Sequence, residues 1–161
     1  MIHEIKLFFV SAHVAGISGE HLNGDLGKIV GIDPAGPLFD SDVPNGRLSS
    51  SSAKYSECIH SGYPYGILKP ICQTDFYVNK GFDQPNCGTI FEDLCSHARG
   101  VEIYSEALEN PKAFFGYRCE NLDQTLNENC SDTNGAFING ESKSVGIFHV
   151  KTNDQSPFGR G

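Results

Sequence analysis

Two residues of this sequence, Asp33 and His97, have the types and positions expected of an acid–base pair. Asp33 follows the apolar run Lys28–Ile32 and precedes Pro34, so it lies at the end of a predicted buried strand, where α/β sheets place functional residues. His97 lies in the run CSHAR, at the start of a predicted helix. A carboxylate can orient an imidazole and stabilise its protonated form, so the pair could act as a general base.

Both residues also have a structural interpretation. Asp-Pro commonly opens a turn, so Asp33 could be a turn residue only. A single histidine is more often structural than catalytic. His60 ends the apolar run Tyr55–His60 and competes with His97 for a catalytic role. Residue types and spacing alone leave these alternatives open.

The elements that must position these residues alternate between strand and helix. Residues 12–22 favour a helix, and Ser96 is expected to cap a second helix over His97–Leu108, which Asn110-Pro111 ends. Strands are predicted at six short apolar runs: Lys28–Ile32, Tyr55–His60, Thr74–Val78, Phe114–Tyr117, Ala136–Ile138 and Val145–Lys151. This alternation over the first part of the chain predicts an α/β fold.

Composition excludes two classes of partner. The 161 residues carry a net charge of −8 and contain no cluster of Lys or Arg, so we expect no nucleic-acid binding, which needs a basic face. The longest apolar runs, such as Leu7–Val10, are far shorter than the roughly 20 residues that cross a bilayer, so no transmembrane segment is predicted.

The cysteines favour disulfide bonds over metal binding. No CxxC pair and no zinc-like Cys/His spacing occurs, and an even number of cysteines is typical of an oxidising compartment. Six cysteines allow fifteen pairings. We favour sequential pairing because each bond then closes a short loop: Cys58–Cys72, Cys87–Cys95 and Cys119–Cys130. Free buried thiols in a cytosolic protein are the alternative.

A series of motifs occurs in a fixed order along the chain. They are AHVAG at 12–16, GIDPAGPLF at 31–39, TDFYVNKG at 74–81, CSHAR at 95–99 and GIFHVKTN at 146–153. Together they resemble the pancreatic-lipase family, especially its insect branch of lipases, phospholipases A1 and yolk-protein-like members. The resemblance covers residues 11–161, whereas residues 1–10 match nothing in the family and are expected to lie outside it.

The resemblance implies a fold, an activity and a location. The expected fold is the C-terminal half of an α/β-hydrolase domain: a partial sheet with flanking helices, disulfide-bonded loops and extra C-terminal strands. The implied activity is extracellular hydrolysis of lipid carboxylic esters, with a lipid ester or lipid surface as the partner. Asp33 matches the triad acid and His97 the triad histidine, whereas His60 matches a histidine that is not the base.

The nucleophile of the family is missing. In the family a serine lies in a strand-to-helix turn of pattern G-x-S-x-G, directly before the AHVAG helix. Alignment on that helix places Phe9 at the serine position and puts Leu7 and Ser11 at the two glycine positions. A phenyl ring cannot attack an ester, and Ser11 lies two residues too late. We therefore expect the chain to be inactive.

Three interpretations follow from the missing serine. The chain could be a truncated form of an ester hydrolase, a non-catalytic lipid- or partner-binding protein of the yolk-protein type, or a fragment without stable function. Truncation is favoured, because the resemblance starts abruptly near residue 11 and Met1–Lys6 leads into too short an apolar run for a signal peptide.

The resemblance also bears on metal binding, lid and glycosylation. Relatives that bind calcium have carboxylates where this chain has the serines of Arg47–Ala53, so no metal and no cofactor is expected. The segment between Cys87 and Cys95 matches the family's lid and consists of Gly88, Thr89, Ile90, Phe91, Glu92, Asp93 and Leu94. It is short, and among relatives a short lid accompanies phospholipase A1-like specificity. Asn129 opens a glycosylation sequon with Cys130 at its centre.

Overall fold

The computed structural model describes residues 4–40, 46–88, 91–139 and 143–161. Its three helices are α1 (Val10–His21), α2 (Glu92–Glu109) and α3 (Leu122–Leu126). Its seven strands are β1 (Glu4–Phe8), β2 (Lys28–Ile32), β3 (Ser56–His60), β4 (Thr74–Val78), β5 (Phe115–Cys119), β6 (Ser131–Phe137) and β7 (Gly146–Val150). The α/β class predicted from the sequence is confirmed.

The strands form one mixed sheet in the order β1-β2-β3-β4-β7-β5-β6. Strands β1 to β4 and β7 run parallel, whereas β5 and β6 are antiparallel to their neighbours. The carboxyl ends of the parallel strands therefore meet at one edge of the sheet. Phe8 pairs with Ile32 and Ile32 with Ile59, so the residues that follow these strands lie next to one another.

The sheet is covered on both faces, which explains the apolar character of its central strands. On one face, α2 contributes Ile103 and Tyr104 to a core with Val30, Phe76 and Phe148. On the other face, α1 packs against a core that includes Ile29 and Leu48. The helix approaches closely because Gly16 has no side chain; a Cβ there would lie 2.6 Å from the Leu48 nitrogen.

Residues 4–10 take part in this architecture. Residues 4–8, which we expected to lie outside the family region, form the edge strand β1, and α1 starts at Val10 rather than at residue 12. Ile5 and Leu7 are partly buried against the core beneath α1. The expected partial sheet is observed, and β1 forms one of its edges.

The prediction that Ser96 caps the second helix is wrong. Helix α2 begins at Glu92, after Phe91 in a left-handed conformation, and Ser96 lies inside the helix. The acidic residues Glu92 and Asp93 favour the earlier start because they lie near the positive end of the helix dipole. The Ser96 hydroxyl accepts a hydrogen bond from the Gln84 backbone N–H (2.8 Å).

All six cysteines are paired, as Cys58–Cys72, Cys87–Cys95 and Cys119–Cys130. These are the pairs favoured from the sequence. Cys87–Cys95 ties the segment before α2 to its first turn, and Cys58–Cys72 ties β3 to the segment before β4. Within the described ranges, no helix is long and apolar enough to cross a membrane.

Candidate active site

Phe9 lies in a sharp turn between β1 and α1. Its backbone has φ 58° and ψ −133°, a conformation that is rare for a bulky residue. The Phe9 N–H donates to the Ile32 carbonyl (3.1 Å), and the Ala35 N–H approaches the Phe9 carbonyl at 3.4 Å. A strained strand-to-helix turn of this kind presents the nucleophile of α/β hydrolases. Here phenylalanine is the central residue of a strand-to-helix turn.

Asp33 follows β2 directly and is 1% exposed. One carboxylate oxygen, Oδ1, accepts the backbone N–H groups of Ser61 (2.7 Å) and Gly62 (3.2 Å). The other oxygen, Oδ2, lies 2.5 Å from Nδ1 of His97. A buried carboxylate is costly unless hydrogen bonds replace its lost hydration. These three donors meet that requirement at the carboxyl edge of the sheet.

His97 lies in the second turn of α2 and is buried. Because an ionised carboxylate can only accept, the bond to Asp33 places a proton on Nδ1 and leaves Nε2 as the basic nitrogen. Nε2 has no hydrogen-bond partner among the described residues. The face of the imidazole is covered by the Phe9 ring, with ring centroids 3.8 Å apart and planes inclined by 17°. The structure thus brings Phe9, Asp33 and His97 together.

Two glycines allow the close approach of Asp33 and His97. A Cβ on Gly66 would lie 2.5 Å from Asp33 Oδ2, and a Cβ on Gly62 would lie 2.5 Å from the His97 Cα. Nothing in the sequence marks these two glycines as part of the site, because the segments that they separate meet only in the folded chain.

The serine hydroxyls near the turn are engaged or enclosed. Ser11 lies in the first turn of α1, and its hydroxyl donates to the Phe8 carbonyl (2.5 Å). Ser61, whose N–H holds Asp33, is fully buried, and its hydroxyl has no hydrogen-bond partner in the described part of the chain. Neither hydroxyl occupies the centre of the strand-to-helix turn.

His60 belongs to a second, separate pair. Its Nε2 lies 2.9 Å from Asp75 Oδ1, and its Nδ1 lies 2.7 Å from the Ile67 carbonyl, so both ring nitrogens are engaged in the interior. Asp75 also accepts the Ile71 N–H at 3.0 Å. This network ties β3 and β4 to the segment that precedes β4, which is a structural role.

One group of metal-ligand side chains forms among the described residues: Cys58, His60 and Asp75. The Cys58 sulfur is bonded to Cys72 and offers no thiolate. Because the two nitrogens of His60 are also occupied, the group does not have the donors of a metal centre. The expectation of no calcium at Arg47–Ala53 stays a prediction.

His13 is a positioning residue that the sequence analysis did not identify. Its Nε2 lies 2.8 Å from the Ala35 carbonyl and its Nδ1 accepts the Leu48 N–H (3.2 Å). The ring stacks on Phe39 with centroids 4.0 Å apart. Burial lowers the pKa of His13, so the ring is held neutral. His13 therefore fixes the segment after Asp33. Its position in the AHVAG motif is the sequence feature that could have identified it.

The segment matched to the lid is described only in part, since Thr89 and Ile90 lie outside the described residues. Glu92, Asp93 and Leu94 form the first turn of α2. Phe91 and Leu94 are exposed, and with Tyr65 they line a cavity of about 400 Å³. Tyr65 also faces the His97 ring, with centroids 5.9 Å apart, so this cavity, which Glu92 and Asp93 line as well, lies beside the histidine.

The chain is similar to several known proteins. It is 32% identical over 157 residues to a phospholipase A1 of Vespula squamosa, covering 92% of this chain and 52% of that protein. It is 35% identical to pancreatic lipase-related protein 2 of Cavia porcellus, covering 75% of this chain and 29% of the relative. Identity to lipase member H of Rattus norvegicus is 39%, over 80% of this chain and 30% of the relative. The chain thus spans about half or less of these relatives' lengths.

The sequence profile of the Lipase family matches residues 4–158. The match includes β1 and the Phe9 turn, so it begins within the segment that we expected to lie outside the family region. The match, the partial α/β-hydrolase sheet and the named relatives all indicate the same family. The chain belongs to the pancreatic-lipase family.

Proposed function

We propose that the chain carries a lipase-type site for lipid carboxylic esters that lacks its nucleophile and does not hydrolyse them. The observation that carries this proposal is the Phe9 ring, which lies at the centre of the strand-to-helix turn and is stacked on His97. The Asp33–His97 hydrogen bond and the family membership support the substrate class. The relatives named as phospholipase A1 and lipase point in the same direction.

The residues can perform one part of ester hydrolysis but not the other. Asp33 holds His97 with Nε2 free to accept a proton and stabilises the imidazolium that would result. In an active relative, that proton would come from a serine hydroxyl as its oxygen attacks the ester carbonyl. The Phe9 side chain has no proton to give and no lone pair to attack with. The general base is therefore present without a nucleophile to activate.

The experiment is a p-nitrophenyl butyrate assay on the unmodified chain, His97→Ala and Phe9→Ala. We expect all three proteins to release p-nitrophenol at the background rate. Turnover that is abolished by His97→Ala but kept by Phe9→Ala would contradict the proposal, because it would implicate Ser11 or another hydroxyl. Circular dichroism of the three proteins would show that inactivity is not caused by unfolding.

We infer that the protein works in an oxidising, extracellular compartment. Three disulfides join all six cysteines, which is typical of secreted proteins. Mass spectrometry of the protein from a secreting host, with and without thiol alkylation, tests this inference. Alkylation of unreduced native protein would contradict it.

A second candidate function is binding of lipid or another apolar partner without catalysis. It is supported by exposed apolar side chains in the segments near Phe9, Asp33 and His97 along the chain and in the loop that meets them: Phe8, Val10, Leu38, Tyr65, Phe91 and Leu94. A fluorescent fatty acid titration tests it, with Phe91→Ser as the variant and Leu22→Ser as a matched control at the far end of α1. Loss of binding in the first variant alone would support this function, whereas equal binding in both would contradict it.

A further inference from the structure

A polar pocket of about 350 Å³ lies at the carboxyl edge of the sheet, where β4 and β7 end. The two strands are parallel and pair Val78 with Val150, so the residues that follow them emerge side by side. Asn79 donates through Nδ2 to the Thr152 hydroxyl (2.8 Å) and accepts the Thr152 N–H at Oδ1 (3.2 Å). These bonds hold the two strand ends together and form one wall of the pocket.

Three cationic side chains line this pocket: Lys80, Lys151 and Arg160. The two ammonium groups lie 3.0 Å and 2.6 Å from the carboxylate of Glu128. Arg160 forms no ion pair with any residue that the structure describes. Asp83 is the other acidic residue of the lining. In a chain of net charge −8, a pocket with more cations than carboxylates is a local reversal of charge.

His149 gives a second, independent indication of a ligand. The residue is 2% exposed and lines the same pocket. Its Nε2 is buried without a hydrogen-bond partner, and no hydrogen bond joins the ring to any described residue. A buried polar group without a partner is costly, and structures normally supply one. A ligand oxygen in the pocket would be such a partner.

We propose that this pocket binds a phosphate group, with Lys80, Lys151 and Arg160 as cationic donors and His149 as a neutral donor. The site is separate from the Asp33–His97 dyad and does not depend on the function proposed for it. Phosphate matches the lining because it carries up to two negative charges and several acceptor oxygens. The phosphate could be inorganic or part of a lipid headgroup.

The Glu128 carboxylate pairs with the two ammonium groups to which the proposed phosphate would bind. Hydrogen bonds from Lys151 and Lys80 lower the pKa of Glu128 to about 2, so its carboxylate remains ionised. Its side chain is about one-third exposed and can turn toward solvent. The incoming phosphate displaces this carboxylate from the two ammonium groups. Burial lowers the pKa of His149, which keeps its ring neutral with one N–H to donate.

The test is a titration of the full chain with inorganic phosphate, followed by amide chemical shifts or calorimetry. We expect saturable binding that Lys151→Gln and His149→Phe each weaken about tenfold, because each removes one donor. Glu128→Gln should strengthen binding because it removes the competing carboxylate. The matched controls are Lys54→Gln and His21→Phe, both remote from the pocket, which should leave the affinity unchanged.

Vesicles distinguish the two sources of phosphate. Binding to vesicles of phosphatidylcholine with phosphatidic acid, lost in Lys151→Gln and displaced by inorganic phosphate, would assign the pocket to a lipid headgroup. Phosphate binding without vesicle binding would assign it to free phosphate. The proposal is overturned if neither phosphate nor vesicles bind saturably, if Lys54→Gln weakens binding as much as Lys151→Gln does, or if Glu128→Gln abolishes binding.

Discussion

The Phe9 ring lies flat on the His97 imidazole, with the ring centroids 3.8 Å apart. Under the function proposed above, this position of the turn is the one that carries the nucleophilic serine in a catalytic member of the family. The phenyl group covers one face of the base while Asp33 holds its Nδ1. Asp33 therefore fixes the tautomer of the His97 ring, and the phenyl group of Phe9 covers one of its faces.

Asp33→Asn should destabilise the fold. The amide can still accept the N–H groups of Ser61 and Gly62 through its oxygen, but its NH₂ then meets the protonated Nδ1 of His97. We expect a loss of about 1–3 kcal/mol in the free energy of unfolding, measured by urea denaturation. Asp25→Asn, at an exposed ion pair with Lys54, should change it by less than about 0.5 kcal/mol. Equal losses of unfolding free energy in Asp33→Asn and Asp25→Asn would argue against a buried, hydrogen-bonded carboxylate at Asp33.

Gly66→Ala should be harmful because of the space that Asp33 needs. The added methyl would lie 2.5 Å from the carboxylate Oδ2, so either the carboxylate or the backbone must move. The expected cost is about 1–3 kcal/mol of unfolding free energy in a denaturant titration. Ser18→Ala, on the exposed side of α1, is the control and should change the free energy of unfolding by less than about 0.5 kcal/mol. If Gly66→Ala leaves the free energy of unfolding unchanged, the Asp33 carboxylate is less tightly enclosed than the structure indicates.

Stability should fall as the pH is lowered from 7.5 to 5.5. Burial lowers the pKa of His13 and His149 below the ordinary value of 6.5. Below pH 6.5 the unfolded chain therefore binds protons that the folded chain does not, and the free energy of unfolding decreases. Urea denaturation at several pH values should show a smaller decrease in His149→Phe. The variant His21→Phe, at an exposed position, should show the full decrease. If His149→Phe shows the full decrease as well, His149 is not a source of this pH dependence.

The central strands and Asp33 were predictable because their signals are local. The run before Asp33 is rich in β-branched residues and ends in Asp-Pro, and β2 has the predicted bounds Lys28–Ile32. The run Thr74–Val78 likewise forms β4 with the bounds predicted. Both strands are buried on two faces, so their residue types carry the information without reference to the rest of the chain.

The turn at Phe9 and the start of α2 depend on contacts that the sequence does not display. Local preference does not place a phenylalanine at positive φ; β1 pairing with β2 and the contact with His97 hold it there. Helix α2 starts at Glu92, after Phe91 in a left-handed conformation. The Ser96 hydroxyl does not cap the helix and instead accepts the Gln84 backbone N–H. Gly62 and Gly66 acquire their importance only where the loop meets Asp33 and His97.

Covalent labelling with a fluorophosphonate shows whether position 9 is the nucleophile site and holds no nucleophile. The probe reacts with a serine that a histidine activates, and intact mass and peptide mapping locate the adduct. We predict no adduct on the unmodified chain. We predict an adduct at position 9 in Phe9→Ser, and its loss when His97→Ala is added. An adduct on Ser11, Ser61 or any other residue of the unmodified chain would contradict the account.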